Sequence, residues 1–301
     1  MEKYDVYLYG MILKTNSFLL KGQYPEADTY GEIREKYELP GGETGTCATI
    51  LNQLGCRIKM DGNYMGTKTY PIIQSFYKNK NVDISALTIE KDYEGLEDYV
   101  IIDQHTRTPF GTFQRFYSDK VERWNMPQRA DIKASKVIGI DPFFRTASKQ
   151  VAAYCTEEGK QYVTIDCPYE SFLHRHASIT ILSGEFFRDA YPNEDREELF
   201  KRYLENGAGL VIFTSGSKPL WYGRRSTGKQ SLAPYKVEVK STLGAGDTFK
   251  AACIYALLKE MSDIETVKFA SATAAMACTK FPLPLYPPSL EEVMVLVNSQ
   301  N

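Results

Sequence analysis

The sequence lacks three features: a long apolar run, a charge imbalance and a cluster of cysteines. No segment of the 301 residues reaches the roughly 18 to 20 consecutive apolar residues that span a bilayer, and the N-terminus has no apolar signal-peptide region. Basic and acidic side chains number 36 and 38, a formal charge of −2. This balance argues against nucleic acid or an anionic membrane surface as the main partner.

The six cysteines are dispersed along the chain, without a CxxC pair. The three histidines, His105, His174 and His176, do not form a ligand cluster with them. This distribution predicts reduced, buried thiols in a cytoplasmic protein and argues against a zinc site.

Short apolar runs alternate with amphipathic stretches along most of the chain, and this alternation predicts an α/β fold. A doubly wound, mostly parallel sheet with helices on both faces is expected, with ligands bound at the carboxyl ends of its strands. The predicted strands are Val6–Tyr9, Val137–Ile140, Tyr162–Ile165, Ile179–Leu182 and Leu210–Phe213. The predicted helices include Thr49–Leu54, Thr146–Thr156, Asp195–Leu204 and Ala251–Leu258.

Two regions, Phe18–Leu39 and Asp98–Tyr117, instead alternate apolar and polar residues, as in Tyr99–Asp103 and Thr112–Tyr117. Such alternation indicates exposed antiparallel strands. The two regions either pair into a small flap beside the main sheet or form two unrelated surface hairpins. No interdomain linker is visible, so residues 1–301 are interpreted as one domain.

A glycine-rich turn at Gly244–Gly246 is the most informative segment. It follows an alternating stretch, Tyr235–Val239, which predicts a strand, and it precedes apolar residues at helical spacing. Glycines let the backbone approach a ligand, and the free N–H groups of a helix N-terminus attract anions. Asp247, beside that turn, is either a base that deprotonates an incoming hydroxyl group or a simple helix cap.

This segment resembles the C-terminal signature of the ribokinase-like, or PfkB-type, carbohydrate kinases, with Ser241 in place of the usual first Asp. The resemblance implies that Asp247 is the catalytic base and that Gly244–Gly246 form the anion hole. The matching positions are Thr242, Gly244, Ala245, Gly246, Asp247 and Phe249.

A second segment, Pro40–Gly55, is similar to the N-terminal signature of the same family and lies in the same chain order. It implies that Gly41 and Gly42 contact the acceptor. It also raises the expectation that Phe18–Leu39 and Asp98–Tyr117 form a lid, with strands from about 15–39 and 98–117. The nucleotide-binding residues implied by the resemblance are Thr214, Gly216, Thr242, Ala274 and Ala277; for the helix Ala270–Lys280, close helix packing is an equal alternative.

The departures from the family pattern lie on the acceptor and metal sides of the site. Thr15 stands where the family places an Asp that holds sugar hydroxyl groups, and Thr46 stands in place of an Asn. Asp141 and Arg107 are either replacement acceptor ligands or ordinary surface charges. The magnesium-linked Asn-x-x-Glu motif is altered, which leaves Glu185 as the candidate metal ligand.

The resemblance implies an ATP-dependent sugar kinase that phosphorylates a primary hydroxyl group. ATP and Mg²⁺ are the implied cofactors, a monovalent cation is a further candidate, and a homodimer is expected. A nucleoside kinase, with Phe113 and Tyr117 stacking a base, and a non-catalytic sugar or nucleotide sensor are the rival functions. The P-loop-like spacing at Gly223–Lys229 lacks the Ser or Thr that binds magnesium, so an exposed hairpin is expected there.

Overall fold

The computed structural model describes residues 2–103, 106–118 and 120–299. Within them a large sheet has the strand order β13-β12-β11-β10-β9-β8-β1-β4-β5, and a small sheet has the order β3-β2-β6-β7. The strands are β1 Tyr4–Gly10, β2 Leu13–Leu20, β3 Ile33–Gly41, β4 Ile58–Gly62, β5 Val82–Asp83, β6 Glu97–Ile102, β7 Arg107–Gly111, β8 Ser135–Ile140, β9 Gln161–Ile165, β10 Ile179–Leu182, β11 Leu210–Phe213, β12 Leu220–Arg224 and β13 Gly228–Leu232.

Helices cover both faces of the large sheet. Alternate residues of β1 mark the two faces, because neighbouring side chains of a strand point in opposite directions. Val6 and Leu8 pack with residues of α1, α9 and α10, whereas Tyr7 and Tyr9 pack with residues of α5. The helices are α1 Gly42–Gln53, α2 Tyr70–Tyr77, α3 Phe113–Ser118, α4 Arg129–Lys133, α5 Arg145–Glu157, α6 Phe172–His176, α7 Gly184–Ala190, α8 Arg196–Asn206, α9 Ala245–Leu258, α10 Asp263–Cys278 and α11 Leu290–Asn298.

The chain order of the strands reverses at β1. From β1 the chain moves outward to β4 and β5, then returns to β8 on the other side of β1 and continues to β11, all in parallel. Only β12 and β13 run antiparallel at the far edge. In such sheets ligands bind at the carboxyl ends of the strands, where the order reverses.

The small sheet forms a lid over that edge. Strands β2 and β3 pair antiparallel, β2 and β6 parallel, and β6 and β7 antiparallel. Leu19, Val100 and Ile102 on its inner face form a small apolar cluster with Leu243 and Phe281. The two alternating regions of the sequence therefore belong to one flap and are not unrelated hairpins.

The predicted α/β architecture, its five strands and its four helices are confirmed. The expected hairpin at Gly223–Lys229 is confirmed as the β12–β13 turn. All six cysteines are free thiols, five of them buried and Cys278 half-buried. In the described part of the chain no helix is long and apolar enough to cross a membrane. The single-domain interpretation stays a prediction, and His105 lies outside the described residues.

Two predicted strands are wrong. Thr112–Tyr117 is mostly helical, because Phe113, Phe116 and Tyr117 have the i, i+3, i+4 spacing of a helix and pack together beside Trp124. The segment Tyr235–Val239 has no regular secondary structure and pairs with no described strand. It leads into Lys240 and Ser241, whose N–H groups donate to the Cys278 carbonyl at 2.8 and 3.1 Å.

Candidate active site

A cleft of about 410 Å³ lies between the lid and the carboxyl ends of the large sheet. Its floor comes from the residues that follow β9, β10 and β11, its walls from the first turns of α1 and α9, and its roof from the lid. Two helix N-termini and a strand edge thus meet around one space, an arrangement suited to an anionic ligand.

The turn at Gly244 sets the direction of α9. Gly244 caps the helix in the left-handed region, with φ +77°, and a Cβ there would lie 2.9 Å from Leu283 Cδ2. A Cβ on Gly246, in contrast, would meet no atom within 4 Å, so the side of the first turn at Gly246 is open. Among the described residues, the N–H groups of Gly244 and Gly246 have no hydrogen-bond partner, whereas the Ala245 N–H donates to the Thr242 carbonyl at 3.3 Å. Free N–H groups beside open space are what an anion hole requires.

Asp247 stands in the same first turn of α9, and its side chain lines the cleft. Burial raises the pKa of Asp247 to about 6, the Asp141 carboxylate adds to the shift, and the Lys250 ammonium opposes it. The Cys47 thiol donates to the Asp247 carbonyl oxygen at 3.3 Å, which ties α9 to α1. A carboxyl group with a pKa near neutrality is suited to accept a proton.

Beneath Asp247 lies a buried ion pair between Lys250 and Asp141. The Asp141 carboxylate also accepts hydrogen bonds from the Met11 N–H at 2.8 Å and the Thr44 hydroxyl at 2.9 Å. Burial disfavours the ammonium, but the Asp141 carboxylate raises the pKa of Lys250 above its ordinary value. One carboxylate therefore joins the ends of β1 and β8 to helices α1 and α9.

Asp141 does not line the cleft, so its prediction as an acceptor ligand or a solvated surface charge is wrong. Its side chain is fully buried and all its recorded hydrogen bonds and its ion pair are internal. Its position directly after β8 is typical of a ligand-binding residue. Its partner, Lys250, lies 109 residues further along the chain and is not visible in the local sequence. In the structure Asp141 ties α9 to the ends of β1 and β8 and to α1.

The other predicted acceptor residues are brought together. Thr15, Gly41, Gly42, Thr46 and Arg107 all line the cleft. A Cβ on Gly41 would lie 1.9 Å from the Thr15 hydroxyl oxygen, so this glycine makes room for Thr15.

Arg107, on β7 of the lid, reaches across to the segment just before the glycine turn Gly244–Gly246. Its Nη1 donates to both the carbonyl and the hydroxyl oxygen of Thr242 at 3.0 Å. Thr242 is half-buried and lies two residues before Gly244, the N-cap of α9. The guanidinium therefore links the lid to the segment that leads into the glycine turn.

The predicted nucleotide and metal residues are brought together only in part. Thr214 and Glu185 line the cleft, together with Asp166. Gly216 is exposed after β11, and Ala274 and Ala277 lie on α10; none of these three lines the cleft. Ala245 belongs to the first turn of α9 but is likewise absent from the cleft wall.

Asp166 is held in place at the end of β9. It has a positive φ of 37°, and its carboxylate accepts hydrogen bonds from the Ser183 N–H at 2.7 Å and the Ser183 hydroxyl at 3.0 Å. Burial raises the pKa of Asp166, and Glu185 nearby contributes to the shift. Two carboxylates, Asp166 and Glu185, thus lie together on the sheet side of the cleft.

Three acidic cleft residues, Glu43, Asp98 and Asp166, were not predicted as site residues from the sequence. Burial, followed by the charges of Asp141 and Asp247, raises the pKa of Glu43 well above its ordinary value. Asp98 is brought to the cleft by the pairing of β6 with β2. Glu43 stood within the glycine signature and could have been noticed, whereas nothing in the local sequence singles out Asp98.

The profile of the pfkB family of carbohydrate kinases matches residues 37–282. The chain belongs to this family. The pfkB enzymes are phosphotransferases with an alcohol acceptor, so this pfkB protein is a carbohydrate kinase, and the family resemblance of its two glycine signatures is confirmed.

Named relatives of this pfkB kinase differ in acceptor. It is 23% identical over 262 residues to the 5-dehydro-2-deoxygluconokinase of Clostridium beijerinckii, covering 78% of this chain and 77% of the relative. It superposes on a protein of Agrobacterium tumefaciens provisionally called a ribokinase, with a TM-score of 0.84, 20% identity and coverage of 98% and 97%. It also superposes on Arabidopsis thaliana ribokinase complexed with ribose and ATP, with a TM-score of 0.77 and 16% identity, covering 98% of each chain.

Proposed function

We propose that this pfkB kinase transfers the γ-phosphoryl group of ATP to a primary hydroxyl group of a sugar or sugar derivative, with Asp247 as the catalytic base. The observation that carries the proposal is the first turn of α9. There a carboxyl group with a pKa raised to about 6 stands beside a glycine turn that is open to the cleft. Phosphoryl transfer needs both a group that orients the nucleophile and donors for the phosphoryl oxygens.

In the proposed reaction, the Asp247 carboxylate takes the proton of the acceptor hydroxyl group. The acceptor oxygen forms a bond to the γ-phosphorus, the bond between that phosphorus and the bridging oxygen of ATP breaks, and ADP leaves. The free backbone N–H groups of Gly244 and Gly246 hold the charge on the transferred group, and the Ala245 N–H joins them if it leaves the Thr242 carbonyl. Arg107, which already reaches this turn, adds a positive charge from the lid.

The nucleotide is proposed to lie over Thr214 and Gly216, with Thr242 beside its phosphates and its base towards the end of α10, near Ala274 and Ala277. A more open hollow of about 300 Å³ supports this direction, because it adjoins the cleft through Phe281. It is lined by Lys240, Thr279, Lys280, Phe281 and Tyr286.

Asp166 and Glu185 are the residues proposed to hold Mg²⁺, together with the ATP phosphates and water. Two carboxylates on one side of the cleft fit this ion, which commonly uses one or two protein carboxylates and substrate phosphates. Bound there, Mg²⁺ would neutralise phosphate charge. A monovalent cation stays a prediction.

The acceptor is proposed to lie under the lid, against Gly41, Gly42, Thr15 and Thr46. Closure of the lid over an occupied cleft would exclude water and so limit hydrolysis of ATP. On the outer face of the lid, Tyr99 and Phe110 stand opposite each other and remain 42% and 48% exposed. This apolar pair supports the prediction of a homodimer formed through the lid.

The test is an ADP-release screen of the purified protein with ATP and Mg²⁺ over neutral sugars, sugar acids, amino sugars and nucleosides. Release with a sugar or sugar derivative, and a phosphate on its primary hydroxyl carbon, supports the proposal. Strong preference for a nucleoside would favour the nucleoside kinase instead, since Phe113 lines the cleft and could stack a base. Ligand-induced thermal stabilisation without any ADP release would identify a sensor.

A further inference from the structure

The inner face of the lid carries few groups that can bind a hydroxylated acceptor. Strands β2 and β6 run parallel, with Thr15 directly opposite Asp98 and Ser17 opposite Val100, and all four residues line the cleft. The neighbouring residue Glu97 belongs to the other face of β6, where it pairs with Lys14 at 2.8 Å. Among the described lid residues that line the cleft, Asp98 is the only carboxylate.

The Asp98 carboxylate is not fully satisfied within the protein. Its Oδ1 atom is buried and has no hydrogen-bond partner among the described residues. Burial raises the pKa of Asp98 to about 6, although the Thr15 hydroxyl acts in the opposite direction. A buried acceptor atom without a donor is costly, so a ligand that donates to it gains more than it would in water.

The positive charge of the cleft lies at the other end of the lid. Arg107 pairs with Ile102, four residues beyond Asp98 on β6, which corresponds to roughly 13 Å along the strand. Its guanidinium is engaged with Thr242, just before the glycine turn. The guanidinium of Arg107 is therefore already engaged at the glycine turn, where it suits the phosphoryl group.

Apart from Arg107, the charged side chains among the described residues of the cleft wall are acidic. Asp247 faces the same cleft and contributes to the raised pKa of Asp98. Glu43 enters from the first turn of α1 and interacts with Asp247 in turn. An acceptor that carried its own carboxylate would face three carboxyl groups here, whereas hydroxyl or ammonium groups would find acceptors for their protons.

We propose that Asp98 is an acceptor-binding residue and that it selects a polyhydroxylated acceptor without negative charge, either a neutral sugar or an amine-bearing one. The inference rests on the proposed kinase function and narrows its substrate. It separates this chain from a relative named as a kinase of a gluconate derivative, since gluconates carry a carboxylate. It also explains how the site can function with Thr15 where the family places an Asp. Asp98, which pairs with Thr15 across β2 and β6, supplies the carboxylate instead.

The experiment compares sugars that share a carbon skeleton but differ in charge. The probes are D-glucose, D-gluconate and D-glucosamine, a second set built on D-galactose, and the pair D-ribose and D-ribonate. Each is measured by ADP release and, without ATP, by the shift in melting temperature. The neutral or amine-bearing member of a set should exceed its acid at least ten-fold in kcat/KM and should give the larger thermal shift.

Two variants assign the preference to Asp98. Asp98→Asn should raise the KM of the preferred acceptor roughly ten- to a hundred-fold, as expected for loss of a charge-assisted hydrogen bond, while kcat changes less than three-fold. It should also weaken discrimination against the acid. Glu97→Gln, on the outer face of the same strand, is the matched control and should leave KM unchanged. The exchange Thr15→Asp with Asp98→Thr returns a carboxylate to the same pair and should recover part of the affinity.

Three results would overturn the inference: preference for the acid, an unchanged KM in Asp98→Asn, or no response of either readout to any probe. Thermal shifts that follow the predicted charge order without ADP release from any probe would reject the kinase proposal and still support the acceptor preference. The two proposals therefore fail separately.

Discussion

Breaking the ion pair between Lys250 and Asp141 should destabilise the protein strongly. Both side chains are fully buried, and the carboxylate also holds the Met11 N–H and the Thr44 hydroxyl. Lys250→Met keeps the length of the side chain but leaves the carboxylate buried without its counter-ion. Removing one partner of such a pair costs about 3–5 kcal/mol, out of a typical total stability of about 5–15 kcal/mol.

The same variant should shift the pH dependence of catalysis. The Lys250 ammonium lowers the pKa of Asp247, whereas the Asp141 carboxylate raises it. Without the ammonium, the pKa of Asp247 should rise above its value of about 6. Since a base works only when deprotonated, the acid limb of the kcat/KM profile should move to higher pH.

Urea denaturation and pH–rate profiles measure the two effects, and the double variant Lys250→Met with Asp141→Asn is the control. It removes both charges, so it should recover most of the lost stability and return the acid limb towards that of the unmodified protein. If Lys250→Met alone matches the unmodified protein in urea midpoint and acid limb, the pair neither holds α9 nor tunes Asp247.

Three further predictions concern the glycine turn, the proposed base Asp247 and the lid. Gly246→Ala should keep or raise the urea midpoint, since a Cβ there meets no atom within 4 Å, but it should lower kcat because the methyl group crowds the phosphoryl group. Gly244→Ala should instead lower the urea midpoint, because Gly244 has a φ of +77°. Wild-type kcat/KM should fall about ten-fold per pH unit below the Asp247 pKa of about 6, and a pH-independent rate down to pH 5 would contradict this. Tyr99→Glu should convert the predicted homodimer to a monomer in sedimentation velocity, because Tyr99 faces Phe110 on the exposed side of the lid; an unchanged sedimentation coefficient would exclude that interface.

Much of the fold could be predicted because its signals are local. Buried parallel strands such as Ile179–Leu182 and Leu210–Phe213 are continuous apolar runs, and their predicted bounds agree with the structure. The strand predicted at Tyr235–Val239 fails because alternation alone does not supply a neighbouring strand to pair with. Pairing is a tertiary property that local patterns do not contain.

The signals for the proposed phosphoryl-transfer half of the site were equally local. Gly244–Gly246 and Asp247 form one turn, so their spacing in sequence fixes their spacing in the structure. The acceptor half depends on which strands meet. Asp98 reaches the cleft only because β6 pairs with β2, a register across 83 residues from Thr15 to Asp98 that no short motif encodes. Asp141 was misplaced for the same reason, since its partner Lys250 comes from a distant helix.

The most direct test of the central claim is the rate of phosphoryl transfer in Asp247→Asn, measured in a single turnover with the acceptor that the screen identifies. The rate should fall by about 10² to 10⁴, the usual contribution of a general base. Thermal stabilisation by the acceptor should persist. The melting temperature itself should not fall, because the raised pKa means that the folded protein disfavours the ionised carboxylate above pH about 6. A variant that folds, binds the acceptor and transfers phosphate at the wild-type rate would show that Asp247 is not the base.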